Sequence, residues 1–455
     1  MSRFRLEVLA SHPISLAGVV LVTVSTVLFL VLVALEAMGF FGTPYLGLVI
    51  YVAVPAAFML GLPLIPLGVW LQGRRRRSGR AEEPAWPVID LGQASTRRTV
   101  ALVLVLTVVN VAIVSMAGYG GLHYMEQAEF CGQVCHTPME PQFTAYQDAP
   151  HSRVACVSCH VGSGAQALVE SKINGTRQLW QVATNNVPKP IPSPVHSLRP
   201  ARDTCEQCHW PEKYHGDRTR VIREYGEDAA NTESTTTLIV HVGGGSHRLG
   251  RADGIHWHMN LENEIEYVAT DASRGEIPYV RLRDRNGAVT EYAVAGATAE
   301  SVANGERRRM DCMDCHNRPA HTFVATPQRA VDGALANGRL PRALPFARRE
   351  AVAAVTADYA SQDAARTEIA RRLRAFYAGA EGGGPDAKLV DQAVTATQDV
   401  YLRNVFPSMN VTWGTYPNHL GHVDSPGCFR CHDDNHTSRD GRVIRQDCEL
   451  CHAMP

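Results

Sequence analysis

The sequence predicts a membrane-anchored protein: three N-terminal transmembrane helices, then an exported domain that is mostly α-helical or irregular and packed around covalently attached groups. A small β element and an alanine-rich helical insertion interrupt that domain. Three observations predict this architecture: apolar runs at the N-terminus, six cysteine–histidine clusters after them, and shifts of residue usage between the clusters.

The apolar runs cover 14–38, 45–71 and 99–118. Each reaches the roughly 20 residues needed to cross the hydrocarbon core. Pro55, Pro63 and Pro66 fall in the second and predict a kink, which neighbouring helices or water can tolerate. A basic loop, 72–98, carries the run RRRR, and the chain begins MSRFR. Positive charge marks both as cytoplasmic, so three crossings leave everything after 118 outside. The first run is longer than the apolar region of a cleaved signal peptide and reads as a retained anchor.

All twelve cysteines form close pairs: Cys131/Cys135, Cys156/Cys159, Cys205/Cys208, Cys312/Cys315, Cys428/Cys431 and Cys448/Cys451. The next residue is histidine each time: His136, His160, His209, His316, His432 and His452. C-x-x-C-H is the attachment signature of c-type haem, with two thioethers on the porphyrin and the adjacent imidazole on the iron. The expectation is six covalent haems in a multihaem cytochrome c. Structural zinc, a thioredoxin-like redox pair and disulfides use similar spacings, but none requires a histidine after every pair. The first cluster, CGQVCH, departs from the signature by one extra residue. Haem attachment belongs outside the bacterial inner membrane, in agreement with the hydropathy. Cys131 follows Gly118 by thirteen residues, so the first haem lies within about 20 Å of the membrane edge even if the link is helical.

Lys and Arg total 44 against 45 Asp and Glu, a net charge of -1, which gives no case for nucleic-acid binding. The expected organisation is an anchor over 1–118, a four-motif domain over 119–325 with a β insert at about 235–296, a helical insertion over 326–404, and a two-motif segment over 405–455. Val, Ile, Thr and Tyr enrichment with a DRNG turn predicts antiparallel strands in the insert. PFARREAVAAVTADYA and DAARTEIARRLRAFYAGA predict amphipathic helices, with EGGGPD as a break.

Nineteen histidines less six leave thirteen, enough for a second axial histidine at every iron outside the cytoplasmic part. The candidates nearest the motifs are His151, His196, His215, His321, His422 and His436. His321 and His436 follow their own motif histidines too closely to reach the opposite haem face, so they should ligate neighbouring haems. His241, His256 and His258 form a second group, and strand alternation would put His256 and His258 on one face.

The stretch EFCGQVCHTPMEPQFTAYQDAPHSRVACVSCHVGSG, 129–164, resembles the opening of the NapC/NirT multihaem quinol dehydrogenases. CEQCHWPEKYHG, GIHWH, CHNRPAHTF and GCFRCHDDNHTS resemble longer members with extra haems, similar to the three-span, ImcH-like inner-membrane cytochromes of metal-respiring bacteria. The resemblance implies a quinol site beside the first haem and a methionine ligand to that haem, matched by Met139. Methionine ligation would raise that haem's potential. It also implies a lysine at the quinol pocket, matched by Lys172, with an acid about two turns later. Gln178 stands at that place and cannot take a proton. Glu126, Glu129 and His123 are candidate replacements.

The expected function is inner-membrane quinol oxidation, with electrons passing through the haems to periplasmic cytochromes or a terminal reductase in anaerobic respiration. The membrane lipid and quinol pool are its other partners. Two alternatives stand beside it: a terminal reductase with one open haem acting on a substrate such as nitrite, and a non-catalytic relay subunit of a larger complex.

Overall fold

Helix α1, Pro13–Ala37, and helix α2, Val54–Arg75, are almost wholly apolar and pack against each other. Small residues permit the close approach: a Cβ on Gly18 would lie 2.9 Å from the Gly61 carbonyl oxygen, and one on Gly68 would meet the Ser15 backbone. Many large apolar side chains point outward, among them Val20, Val24, Val27 and Leu60. Outward-facing apolar surface suits a lipid solvent and not water. A π-helical turn, Val49–Ala53, precedes α2, which continues through Pro63 and Pro66. Helix α3, Ala94–Glu126, packs on that turn, with Gly120 and Gly121 lying against Tyr51.

This computed structural model describes residues 12–37, 49–75, 91–134, 136–162, 164–195, 200–210, 213–214, 216–246, 251–260, 262–379 and 384–454. The chain divides into two units, Met1–Val134 and Cys135–Pro455, and not at residue 118. Among the described residues, two helices are long and apolar enough to cross a membrane, Pro13–Leu35 and Val49–Gln72, where the sequence led us to expect three. The third apolar run is the middle of α3, whose 33 residues extend from before Arg97 to beyond His123. The basic N-terminus and the RRRR loop, on which the orientation argument rested, lie outside the described residues.

The second unit begins with α4, His136–Gln147, α5, Cys156–His160, α6, Ala165–Ala183, and α7, Ala201–Cys205. The β insert follows and is antiparallel throughout, though it starts earlier than expected. β1, Arg218–Tyr225, pairs with β2, Glu233–Val240. β3, Gly244–Ser246, pairs with β4, Arg251–Asp253, ahead of a 3-10 turn, Ile255–Met259. β5, Glu264–Ala269, β6, Tyr279–Arg283, and β7, Val289–Ala293, form a meander. The DRNG turn closes β6 to β7: the Asp284 carboxylate accepts from the Asn286 and Ala288 amides, and Gly287 takes a positive φ. After α8, Ala299–Asn304, strand β8, Glu306–Arg309, adds to β5, and α9 is Cys312–Cys315.

The helical insertion holds α10, Pro327–Ala336, α11, Ala347–Val355, α12, Gln362–Ala378, and α13, Ala387–Asn404. Their apolar faces meet in the largest buried cluster described, including Val331, Leu335, Leu340, Leu344, Ile369, Leu373 and Tyr401. The C-terminal segment is not free-standing. β9, Thr437–Ser438, pairs with β7, and β10, His452–Ala453, pairs with β2, so both C-terminal motifs are laced onto the β insert.

Candidate haem-ligating sites

Each C-x-x-C pair sits on a single helical turn, which brings both sulfurs to one side and leaves the histidine next in line. Thus the amides of His209, His316 and His432 donate to the carbonyls of Cys205, Cys312 and Cys428 at 2.8, 2.8 and 3.0 Å. The first cluster differs. Cys131 lies on a π-helical turn, Phe130–Val134, whose wider winding absorbs an extra residue. Cys135 lies outside the described residues. Met139 occupies the first turn of α4, three residues past His136.

Five of the six motif histidines face a second histidine. Ring centres are 6.0 Å apart for His209 and His151, 6.2 Å for His160 and His321, and 6.2 Å for His316 and His256. They are 5.8 Å apart for His432 and His258, and 6.2 Å for His452 and His422. No imidazole serves two motifs in this set. Two metal–imidazole bonds of about 2 Å each, with roughly 1 Å from nitrogen to ring centre, put facing rings about 6 Å apart. The separations are too long for ring stacking at van der Waals contact, and they fit an iron held between two axial histidines.

The protonation pattern fits as well. A backbone carbonyl only accepts, so a ring nitrogen beside one must carry the hydrogen and the other nitrogen keeps its lone pair. The Nδ1 of His151 donates to Pro319 at 3.0 Å, that of His321 to Gln142 at 3.0 Å, and that of His256 to Val242 at 3.0 Å. Likewise His258 donates to Ile255 at 2.7 Å and His432 to Arg445 at 2.9 Å. Burial disfavours the charged ring at His160, His256, His258 and His316, pulling each below the usual histidine range, and pushes His321 down to about 4. A neutral imidazole with a bare Nε2 is the form that binds a metal.

The cysteines link successive motifs. A hydrogen bond to Cys312 raises the Cys205 thiol first, burial next, and Cys312 and Cys159 add by charge. Burial pushes Cys315 up to about 12, with Cys428 contributing, while Cys428 also acts on Cys451 after burial. Geometry places motif four beside motifs three and five: α7 packs on α9, and the Arg430 guanidinium donates to the Asp314 carbonyl.

Two arginines missed by sequence reasoning complete the set. Arg318 is partly buried, its Nη2 donates to Ser193 Oγ at 2.6 Å and its guanidinium lies over the Tyr416 ring, yet its buried Nε has no partner. Among the described residues no carboxylate pairs with it. Drawing a cation partly out of water without a counter-charge is costly, and a haem carries carboxylates of its own. Arg430 is buried with its guanidinium on the carbonyls of Gly427, Arg274 and Asp314. The available signal was position: Arg430 lies inside CFRC, and Arg318 two residues past His316. Among the described residues no group of three or more His, Cys, Asp or Glu converges as the zinc alternative requires.

The expected thioether sulfurs differ in exposure. Cys208 and Cys448 are exposed, whereas the other described motif cysteines are partly buried. Helix α7 stops at Cys205, and Gln207, His209 and Trp210 around Cys208 are exposed with it, so the described residues leave that cysteine exposed. Cys448 likewise stands at the start of a three-residue turn beside exposed Glu449 and Leu450. In each of these two motifs one cysteine faces inward and the other faces solvent, which suits a planar group lying at the protein edge.

His436 does not face a motif histidine. Its Nδ1 meets the Asp433 carboxylate at 2.8 Å and its Nε2 the Ile277 carbonyl at 2.7 Å, so both nitrogens are committed to acceptors. His241 pairs with Asp217 at 3.0 Å. His256 and His258 do not share a strand face. They lie on a 3-10 turn, where residues two apart diverge, and they meet different motifs. His196 and His215 fall outside the described residues.

The quinol-site candidates belong to both units. Glu126 ends α3, Glu129 follows it, and His123 stacks on Tyr119, all in the first unit. Lys172 and Gln178 are exposed on α6 in the second. Val169, Ile173 and Trp180 make an exposed apolar stripe along α6, at 57%, 64% and 71% exposure. At 3.6 residues per turn Lys172 flanks that stripe, while Gln178 falls on the opposite side of the helix. The two are not brought together.

Residues 93–191 match the family profile described as NapC/NirT cytochrome c family, N-terminal region. The chain is also 42% identical over 448 residues to the cytochrome c-type protein ImcH of Geobacter sulfurreducens, covering 97% of this chain and 88% of that one. No solved structure matches. With its apolar N-terminal helices, its attachment motifs and this likeness along nearly its whole length, the chain belongs to the NapC/NirT cytochrome c family, as a membrane-associated electron-transfer cytochrome with covalent haem.

Proposed function

We propose that this protein is an inner-membrane quinol dehydrogenase that passes electrons from menaquinol or a related quinol along six haems to periplasmic acceptors. The observation that carries the reading is the set of five facing histidine pairs. Haem at these five motifs would be held by two imidazoles each, which would leave no place for a small substrate at its iron. That disfavours the terminal-reductase alternative and suits electron transfer. Covalent haem supplies the one-electron chemistry, and the protein supplies ligation, spacing and proton acceptance.

Motifs one to six take His136, His160, His209, His316, His432 and His452 as proximal ligands. His321, His151, His256, His258 and His422 complete the second to sixth, and Met139 is the candidate for the first. Helix α3 is the third crossing: its 33 residues span about 50 Å, more than the roughly 30 Å of hydrocarbon. An odd number of crossings from a cytoplasmic N-terminus leaves the motifs periplasmic. Lys172 would orient the quinol headgroup beside the apolar stripe of α6, where the amide of Gln178 cannot accept a proton; Glu126, Glu129 and His123 are separate candidates for proton acceptance.

Anaerobic mixing with a menaquinol analogue, read at the reduced haem α-band, tests the proposal. The wild type should reduce rapidly and Lys172→Ala at least about tenfold more slowly, equivalent to about 1.4 kcal/mol in the barrier. If dithionite reduces both proteins and quinol reduces neither, the chain is a relay whose donor lies on another subunit.

A further inference from the structure

The 3-10 turn Ile255–Met259 carries two histidines that face two different motifs, and the surrounding structure holds that turn firmly. β3 and β4 lead into it through a neck where Gly243 and Gly254 nearly touch: a Cβ on Gly254 would lie 2.6 Å from the Gly243 Cα, and one on Gly243 would strike the Asp253 carbonyl oxygen. Both glycines also take positive φ, at 54° and 67°. From this neck the His256 Nδ1 donates back to Val242 and the His258 Nδ1 to Ile255, which aims both Nε2 atoms away from the hairpin. The His256 ring lies parallel to that of His316, 5° between planes, while His258 stands edge-on to His432 at 75°.

The two motifs it meets are themselves fastened together. Arg430, inside motif five, donates to the carbonyl of Asp314, inside motif four, and also to Arg274. The Asp314 carboxylate takes the Tyr267 hydroxyl at 2.6 Å and sits 3.5 Å from the Arg308 Nε. Asp314 is almost fully buried, so this network fixes motif four against β5 and motif five against motif four.

We propose that this single turn splices the C-terminal haem pair onto the preceding four, with His256 completing the iron bound at motif four and His258 the iron bound at motif five. The inference rests on the reading that the motifs carry haem, and it adds a division of labour within the turn. Two adjacent irons are then fixed by ligands with a single residue between them in the chain, and Arg430 holds their attachment turns in register. The C-terminal segment becomes a continuation of one chain of haems and not a separate module.

The test uses the full-length holoprotein in detergent. Haem per chain is counted first, as the pyridine haemochrome, in the wild type and in His256→Ala, His258→Ala and the double variant. Carbon monoxide is then titrated into each reduced protein. Each single variant should bind one more equivalent than the wild type and gain a high-spin signal in the oxidised state, and the double variant should bind two more. His258→Met should retain its haem in a low-spin state with a higher midpoint potential, because a thioether can replace the imidazole. This variant covers the case in which the alanine form fails to fold. His436→Asn, removing a buried histidine with no motif partner, should open no iron. Six haems with no added carbon monoxide site in either single variant, or one added equivalent in the double variant, overturns the splice. Fewer than six haems in the wild type instead overturns the haem reading on which it rests.

Discussion

The second unit contains two regions built on different principles. The helical insertion, Pro327–Asn404, holds no cysteine or histidine and closes on a core of aliphatic and aromatic side chains. The motif segments have turns of three to five residues, short strands and motif histidines with an edge open to solvent, as at His160, His209 and His316. Such short elements cannot bury enough apolar surface to offset their ordering entropy. Among the described residues the motif segments have only two smaller apolar clusters, around Phe406 and around Tyr267, supplemented by paired imidazoles, arginine contacts and carbonyl contacts, whereas the insertion is held by one large packed core. The expectation is that the motif segments depend on their cofactors to fold far more than the insertion does.

The largest effect should come from preventing attachment at one motif. In Cys312→Ser/Cys315→Ser, amide hydrogen exchange should show loss of protection across β5, β8 and the C-terminal motifs while α10 to α13 keep theirs. Equal loss in the insertion would break the comparison.

The converse perturbation is a core truncation. Leu335→Ala or Leu373→Ala, at side chains 1% exposed, should cost about 2–5 kcal/mol. Denaturant unfolding followed by far-UV circular dichroism should shift while the Soret band of the native protein stays in place.

A smaller loss is expected where the regions join. Asn231, between β1 and β2, is fully buried, donates to the Arg342 and Leu344 carbonyls at 3.1 and 2.8 Å, and accepts from the Arg348 amide at 2.9 Å. Asn231→Ala strands those groups and should cost about 1–3 kcal/mol. Exchange protection at the start of α11 would report it, and no change there would mean the joint is held elsewhere.

The smallest should be Ser361→Ala, which removes the hydroxyl capping α12 at the Ala364 amide. About 1 kcal/mol is expected, read as a shift in the insertion's unfolding midpoint with haem potentials unchanged.

The sequence by itself determined what depends on local chemistry. Cysteine and histidine within about one turn specify attachment, because the thioethers and the proximal imidazole come from five consecutive residues, or six in the first motif. Apolar length specified α1 and α2, and Asp284 with Gly287 specified the β6–β7 turn. The helical insertion followed from its periodicity, and its capping residues Thr326, Ser361 and Asp386 accept from backbone amides at the starts of α10, α12 and α13. Only the tertiary structure decided which histidine meets which motif. His321 closes on His160 and His258 on His432 across long stretches of chain, and no periodicity encodes such a distance. How deeply each motif is enclosed was equally out of reach: the spacing that names Cys208 says nothing of whether distant chain covers it, and among the described residues it is exposed. The same limit explains His436: proximity to a motif made it a candidate, but the nearby Asp433 and the incoming Ile277 carbonyl claimed both its nitrogens. It explains the turn at 255–259 as well. Strand alternation predicted one shared face, whereas the chain leaves the crowded neck of two glycines as a 3-10 turn that turns the two imidazoles toward different motif histidines. Local bonding geometry is written within a few residues, but the partner of a ligand depends on where folding brings distant backbone.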